Sequence, residues 1–335
     1  MTAAKWIHSP GRDAALALCW VPFAVAGFAV HSDARLLSAL LSAVLILSLS
    51  HQPVTLALVY GDGDRFRAHR RVYLLAPVFA LGAVLVGLRV SFLLVALVAA
   101  LWNAEHTLMQ RYGVTRMYGR KAGDDRGPIE KAMLFSWLGV AVAAAGANPA
   151  TVRDLAKVQV GDVNARAIHL LTDLRPEASV ILLPAIAVAV ALTVRWVRAE
   201  RAAPGANPAK WLYVGSTAAL ILTLCVNPIA GFAAYVGAHA VEYFVIVRSA
   251  TERRARSGEG GTVGALVRSP VGATGFVVAA AGGAVVPLVI LQHASSFTIA
   301  TAAYLTVGAL HIGYDGLIWK MRQPAVARDL AAVAA

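Results

Sequence analysis

Ten apolar stretches, each long enough to cross a lipid bilayer, recur along this chain of 335 residues. A helix needs about 20 predominantly apolar residues to span the hydrocarbon core. The stretches lie near 14–30, 37–60, 72–88, 90–112, 131–148, 178–195, 211–226, 228–247, 271–291 and 297–319. In lipid a backbone amide finds no water, so segments of this length must close their hydrogen bonds internally as helices. The constraint predicts an all-α, polytopic integral membrane helix bundle of about ten spans, forming a single transmembrane domain over 1–335. Only 14% of the residues are charged, against about 25% in a soluble domain. Lys5 and Arg12 before the first apolar run resemble the basic start of a signal peptide. Further spans follow without a cleavage signature, so the run reads as the first transmembrane helix. Cys19 and Cys225 both fall inside apolar segments, which argues against a disulfide framework or a thiolate metal site.

Charge placement orients the spans. Cytoplasmic loops of membrane proteins are enriched in Lys and Arg. With the N-terminus inside, ten spans put 24 of the 30 Lys and Arg on the cytoplasmic side. Adding or removing one span breaks the alternation. The reading is a protein of the plasma membrane with both termini cytoplasmic. The net charge of +12 follows from this asymmetry and gives no reason to invoke nucleic acid. The one long outside loop, 149–177, has Val152, Leu155, Val158 and Val163 among its charges, and predicts a helix along the membrane face. The loop 249–268 reads as a flexible connector. Thr55-Leu56-x-x-x-Tyr60-Gly61 and Thr107-Leu108-x-x-x-Tyr112-Gly113 form an internal repeat at the ends of the second and fourth spans.

Against this apolar background the ionisable residues are selective. The second, fourth, eighth and tenth spans carry His51, Glu105 with His106, His239 with Glu242, and His311 with Asp315. The other six have no Asp, Glu, Lys, Arg or His in their interiors. Charged and titratable groups in hydrocarbon are costly and mark functional sites. His51, His239 and His311 each precede the first interfacial or basic residue of their segment (Tyr60, Arg248, Lys320) by nine positions, which is about 13 Å of helix. His106 precedes Tyr112 by six. The four imidazoles are thus expected at one depth, toward the basic face. Spacings of three and four residues put His239 with Glu242, and His311 with Asp315, on common faces. His51 aligns with Thr55, while Asn103, His106 and Gln110 form a stripe. Tyr243 and Tyr314 lie near the same level.

Imidazole with carboxylate suits iron, manganese, zinc or copper. A carboxylate ligates directly or orients an imidazole through its second nitrogen. The expected metal ligands are His51, His106, His239, Glu242, His311 and Asp315. Glu105, Tyr243 and Tyr314 are the expected catalytic groups. His8, His31, His69, His169 and His293 fall outside the hydrocarbon and read as solvated or interfacial. Asp62-Gly63-Asp64 and Asp124-Asp125 have the wrong spacing for a magnesium motif, and within basic loops they read as solvated turns. No phosphate-binding glycine loop, dinucleotide fingerprint or Gly-x-Ser-x-Gly elbow occurs.

A polytopic bundle with single histidines on several spans resembles the Brp/Blh-type β-carotene dioxygenases, in which intramembrane histidines hold a non-haem iron. The layer of His51, His106, His239 and His311 carries the likeness. The His-x-x-x-His and His-x-x-His-His boxes of fatty-acid desaturases are absent. The resemblance implies a membrane-embedded oxidoreductase using ferrous iron and dioxygen on a lipophilic substrate entering from the bilayer. Two other readings stay open: a proton- or cation-coupled transporter using the same His and acid layer, and a haem-binding membrane protein.

Overall fold

The computed structural model describes residues 6–124, 126–157, 162–203, 207–294 and 297–330, with the side chains of 162–164, 284, 287–294 and 297 outside that description. Lys5, Asp125, Val158 and the side chains of Val163 and His293 therefore lie outside the described residues. Every regular element among the described residues is a helix. Among the described residues eight segments are long and apolar enough to cross a membrane: Pro10–Val30, Ala34–Tyr60, Arg70–Val90, Phe92–Lys121, Gly127–Ala147, Arg175–Ala202, Pro208–Val226 and Pro228–Arg256. The last two expected spans fall on the helices Gly272–Ala294 and Phe297–Ile318. The chain is a helical membrane protein.

Local chemistry explains where the helices depart from the apolar windows. The first span is two helices, Pro10–Ala17 and Val21–Val30, rather than one. Pro22 has no N–H, and its ring clashes with the carbonyl four residues back, so the chain restarts a helix just before it. The outside loop likewise forms two helices, Pro149–Lys157 and Asp162–Asp173. The His106 helix, Phe92–Lys121, runs nine residues past the expected boundary at 112. It ends at Gly123, whose φ of +70° is costly for any other residue type. There the Gly123 amide donates to Arg120 O at 3.0 Å and the Asp124 amide to Gly119 O at 2.9 Å. That pair is a Schellman cap, and it fixes the position of Asp124.

Two compact units divide the chain, one from Met1–Val44 with Glu105–His239, the other from Leu45–Ala104 with Ala240–Leu330. In the first, Leu37, Leu41 and Val44 pack on Ile229, Ala233 and Val236. Both triplets have the i, i+4, i+7 spacing of a single helix face. A Cβ on Gly27 would come within 2.8 Å of the Ala230 backbone, so glycine permits that close approach. In the second unit Val54, Leu58, Tyr243, Val247, Phe276, Val277, Leu310 and Tyr314 form the core. The helix Ala34–Tyr60 carries Pro53 inside it. That residue removes one ladder hydrogen bond, next to His51 and Gln52.

Candidate metal centre

In the second unit, the helix Ala34–Tyr60 supplies His51 and Thr55, Pro228–Arg256 supplies Tyr243, and Phe297–Ile318 supplies His311 and Asp315. All five are buried. His51 Nε2 and His311 Nε2 face each other at 3.1 Å. Behind them, Thr55 Oγ1 lies 2.7 Å from His311 Nδ1 and donates to Asp315 Oδ1 at 2.9 Å. Tyr243 Oη donates to the same carboxylate oxygen at 3.1 Å and touches the Thr55 hydroxyl. Its ring lies 5.1 Å from His51 and 5.2 Å from His311.

This network assigns a tautomer. With Asp315 ionised, Thr55 gives its one hydroxyl proton to that carboxylate and accepts from His311 Nδ1. His311 therefore carries its proton on Nδ1 and presents an unprotonated Nε2 toward His51. That is the form an imidazole takes as a metal ligand. Two nitrogens bound at about 2.1 Å to one ion, with an angle between a right angle and the tetrahedral value, lie about 3.0–3.4 Å apart. The observed separation is that of a hydrogen bond between the two imidazoles, and it also fits a shared ion. Asp315 sits on the Nδ1 side of His311, with Oδ2 at 3.8 Å, in the place of an orienting carboxylate.

The first unit holds a second buried imidazole pair. His106 and His239 pack edge to face, with centroids 5.0 Å apart. Gln110, one turn after His106, donates to His239 O at 3.2 Å. Glu242 is fully buried, and Glu105 is half-buried. Tyr314, expected to be catalytic, has its hydroxyl 2.9 Å from that of Tyr60 and 3.3 Å from Tyr73 O.

The helix ends hold two charge clusters that the sequence did not reveal, and they correct the solvated-turn expectation. Asp124 is buried with Glu130, Glu200, Arg116 and Lys210. The Lys210 ammonium contacts Asp124, Glu130 and, at 2.9 Å, Glu200. Arg116 meets Glu130 at 2.9 Å, and Arg126 meets Asp124 at 2.7 Å. The three carboxylates have ligand atoms within 4.8 Å of one another, but Lys210 already holds the place a cation would take. Burial pushes the Asp124 carboxyl up, and hydrogen bonds from Arg126 and Lys210 overcome it, leaving it well below the usual range. In the other unit Asp62 caps the helix Gly63–Ala68 and accepts from Arg254 Nε at 2.7 Å. Burial raises Asp62 too, and the Arg254 and Arg65 charges outweigh it, so its pKa is lowered. Arg254 also holds Glu259 at 2.7 Å. Of the expected solvated acids, Asp64 alone among the described ones is exposed.

The repeated Tyr-Gly pairs meet different surroundings. A Cβ on Gly61 would clash with Val263 at 2.7 Å, whereas Gly113 has open space. Comparison with protein families, curated proteins and solved structures finds no match for this chain.

Proposed function

We propose that this chain is a membrane-embedded, metal-dependent oxidoreductase whose metal, non-haem iron, is held by His51 and His311. The 3.1 Å separation of their Nε2 atoms carries the reading. Axial ligands on opposite sides of a haem iron would stand about 4 Å apart at ordinary nitrogen–metal distances, so the pair fits adjacent ligands on a bare ion better. The donor set is nitrogen-rich and lacks thiolate, which suits iron, copper or zinc. The likeness to the Brp/Blh-type dioxygenases supports iron, and with it dioxygen and a lipophilic substrate reaching the site from the bilayer. When bound, ferrous iron supplies one-electron chemistry with dioxygen. Thr55 and Asp315 hold His311 in its ligating tautomer, Tyr243 braces that carboxylate, and the apolar core of the unit excludes water. The basic-residue asymmetry supports a reading with both termini cytoplasmic, in the plasma membrane.

Metal analysis and an absorption spectrum of the detergent-purified chain test this. The expected result is one metal per chain with no haem band, and metal-free protein for His51→Ala and His311→Ala. A haem spectrum, or stoichiometric metal with both histidines replaced, would overturn it. A chain that never binds metal yet loses a pH-dependent ion flux on these substitutions is a transporter.

A further inference from the structure

One imidazole nitrogen outside the metal centre lies between a donor and an acceptor, and it can serve only one of them at a time. His31 follows the helix Val21–Val30 as its C-cap. Its Nδ1 is 3.3 Å from Asn227 Nδ2 and 3.6 Å from Asp154 Oδ2. The Asn227 amide has a fixed orientation, because its Oδ1 accepts from the Ala230 amide at 3.0 Å and so caps the helix Pro228–Arg256. Turning it round would lose that bond, so its NH2 faces His31 and needs an unprotonated Nδ1 there. Asp154 needs the reverse. Its side chain is buried, with Oδ1 accepting from Lys157 Nζ at 3.0 Å and Oδ2 without a hydrogen bond. A proton on His31 Nδ1 would supply that oxygen with its partner. Lys157 Nζ also donates to His31 O at 3.2 Å, which anchors the helix Pro149–Lys157 beside the imidazole independently of its charge. Asp154 and Lys157 are the charges that meet His31 among the described residues. Val21–Val30 and the turn at Asn227 carry none, and Asp33, Arg35 and Arg153 are exposed.

We propose that His31 is a proton-operated latch between two neighbours. Neutral, with its proton on Nε2, it accepts from Asn227 and holds the turn that opens Pro228–Arg256. Protonated, it donates from Nδ1 to Asp154 and clamps the helix Pro149–Lys157. Histidine suits this task, since imidazole is the side chain that changes charge between about pH 5 and 8. A hydrogen bond from imidazolium to carboxylate is roughly twice as strong as a neutral one, so the protonated arm is the tighter. In the topology proposed above this end of the spans faces outward, and the latch answers to external pH. It does not depend on the metal centre.

Hydrogen–deuterium exchange of the full chain in nanodiscs tests this at about pH 7.5 and about pH 5.5, with rates corrected for the intrinsic pH dependence of exchange. Gaining one hydrogen bond to a charged group corresponds to about tenfold in an equilibrium constant. The amides of 149–157 should therefore be about tenfold better protected at the lower pH, with those of 127–147 unchanged. His31→Gln and Asp154→Asn should each remove the pH dependence. No gain in protection in the unaltered chain overturns the proposal, and so does a gain that survives either substitution. Nitrogen-15 spectra of the histidine-labelled chain give a second readout. The His31 signal, identified by its loss in His31→Gln, should show Nδ1 unprotonated at the higher pH and both nitrogens protonated at the lower. A proton on Nδ1 at the higher pH would also overturn the latch.

Discussion

Thr55 shows how one hydroxyl can decide what a histidine does. By accepting from His311 Nδ1 and donating to Asp315 it turns an unprotonated Nε2 toward His51. Thr55→Val keeps the shape and removes both bonds. Partners of this kind typically contribute 10–100-fold to metal affinity or activity. We expect metal affinity in Thr55→Val to fall by roughly that factor, with Thr55→Ser restoring most of it, in a competition titration with a chelator. Asp315→Asn should fall in the same range, well short of the complete loss in His311→Ala. Complete metal loss in Asp315→Asn would instead make that carboxylate a direct ligand. The alignment of His51 with Thr55 was legible from helical spacing. The bond from Thr55 to a helix 256 positions away was not, because spacing within one helix says nothing about which neighbour it meets.

At the scale of elements, the helix ends are held by buried charges. Lys210 opens the helix Pro208–Val226 and meets carboxylates from the end of Arg175–Ala202, the start of Gly127–Ala147 and the loop before it. Removing one partner from a buried ion pair costs about 3–5 kcal/mol, because the others stay buried without it. Lys210→Met should lower unfolding stability in mixed micelles by about that amount, whereas Arg256→Met, at an exposed pair with Glu252, should change it by less than about 1 kcal/mol. The pH dependence follows with a definite sign. Asp62 and Asp124 have folded pKa values below the ordinary 3.8. The stability they contribute is therefore fully present above that value and is lost as pH falls through the lower folded one. From these groups the unfolding temperature should be flat between about pH 7 and pH 5 and drop below about pH 4.

Over the whole molecule, the testable property is orientation. Ten spans with both termini inside put residues 249–268 in the cytoplasm and the 149–177 loop outside. In intact cells a membrane-impermeant maleimide should label Thr172→Cys and leave Ser257→Cys unlabelled until the membrane is opened. The reverse pattern would invert the spans. Both positions are exposed in the fold, so a lack of labelling reports the membrane and not burial.

What the sequence by itself determined is the class of fold, the places of the helices and the residues too costly to be idle. Hydrocarbon imposes one rule on every backbone amide, so length and hydropathy suffice to read helices, and any histidine or acid within them stands out. Helix ends were less legible: a run such as Arg111 to Lys121 looks like a solvated loop, yet it continues the helix. Arg111, Arg116 and Lys121 within that run are buried. Only tertiary structure decided which buried groups meet. Lys210 and Glu130 are ordinary loop-edge charges in one dimension. Which groups pair depends on distances between helices far apart in the chain, and periodicity along one helix carries no information about them.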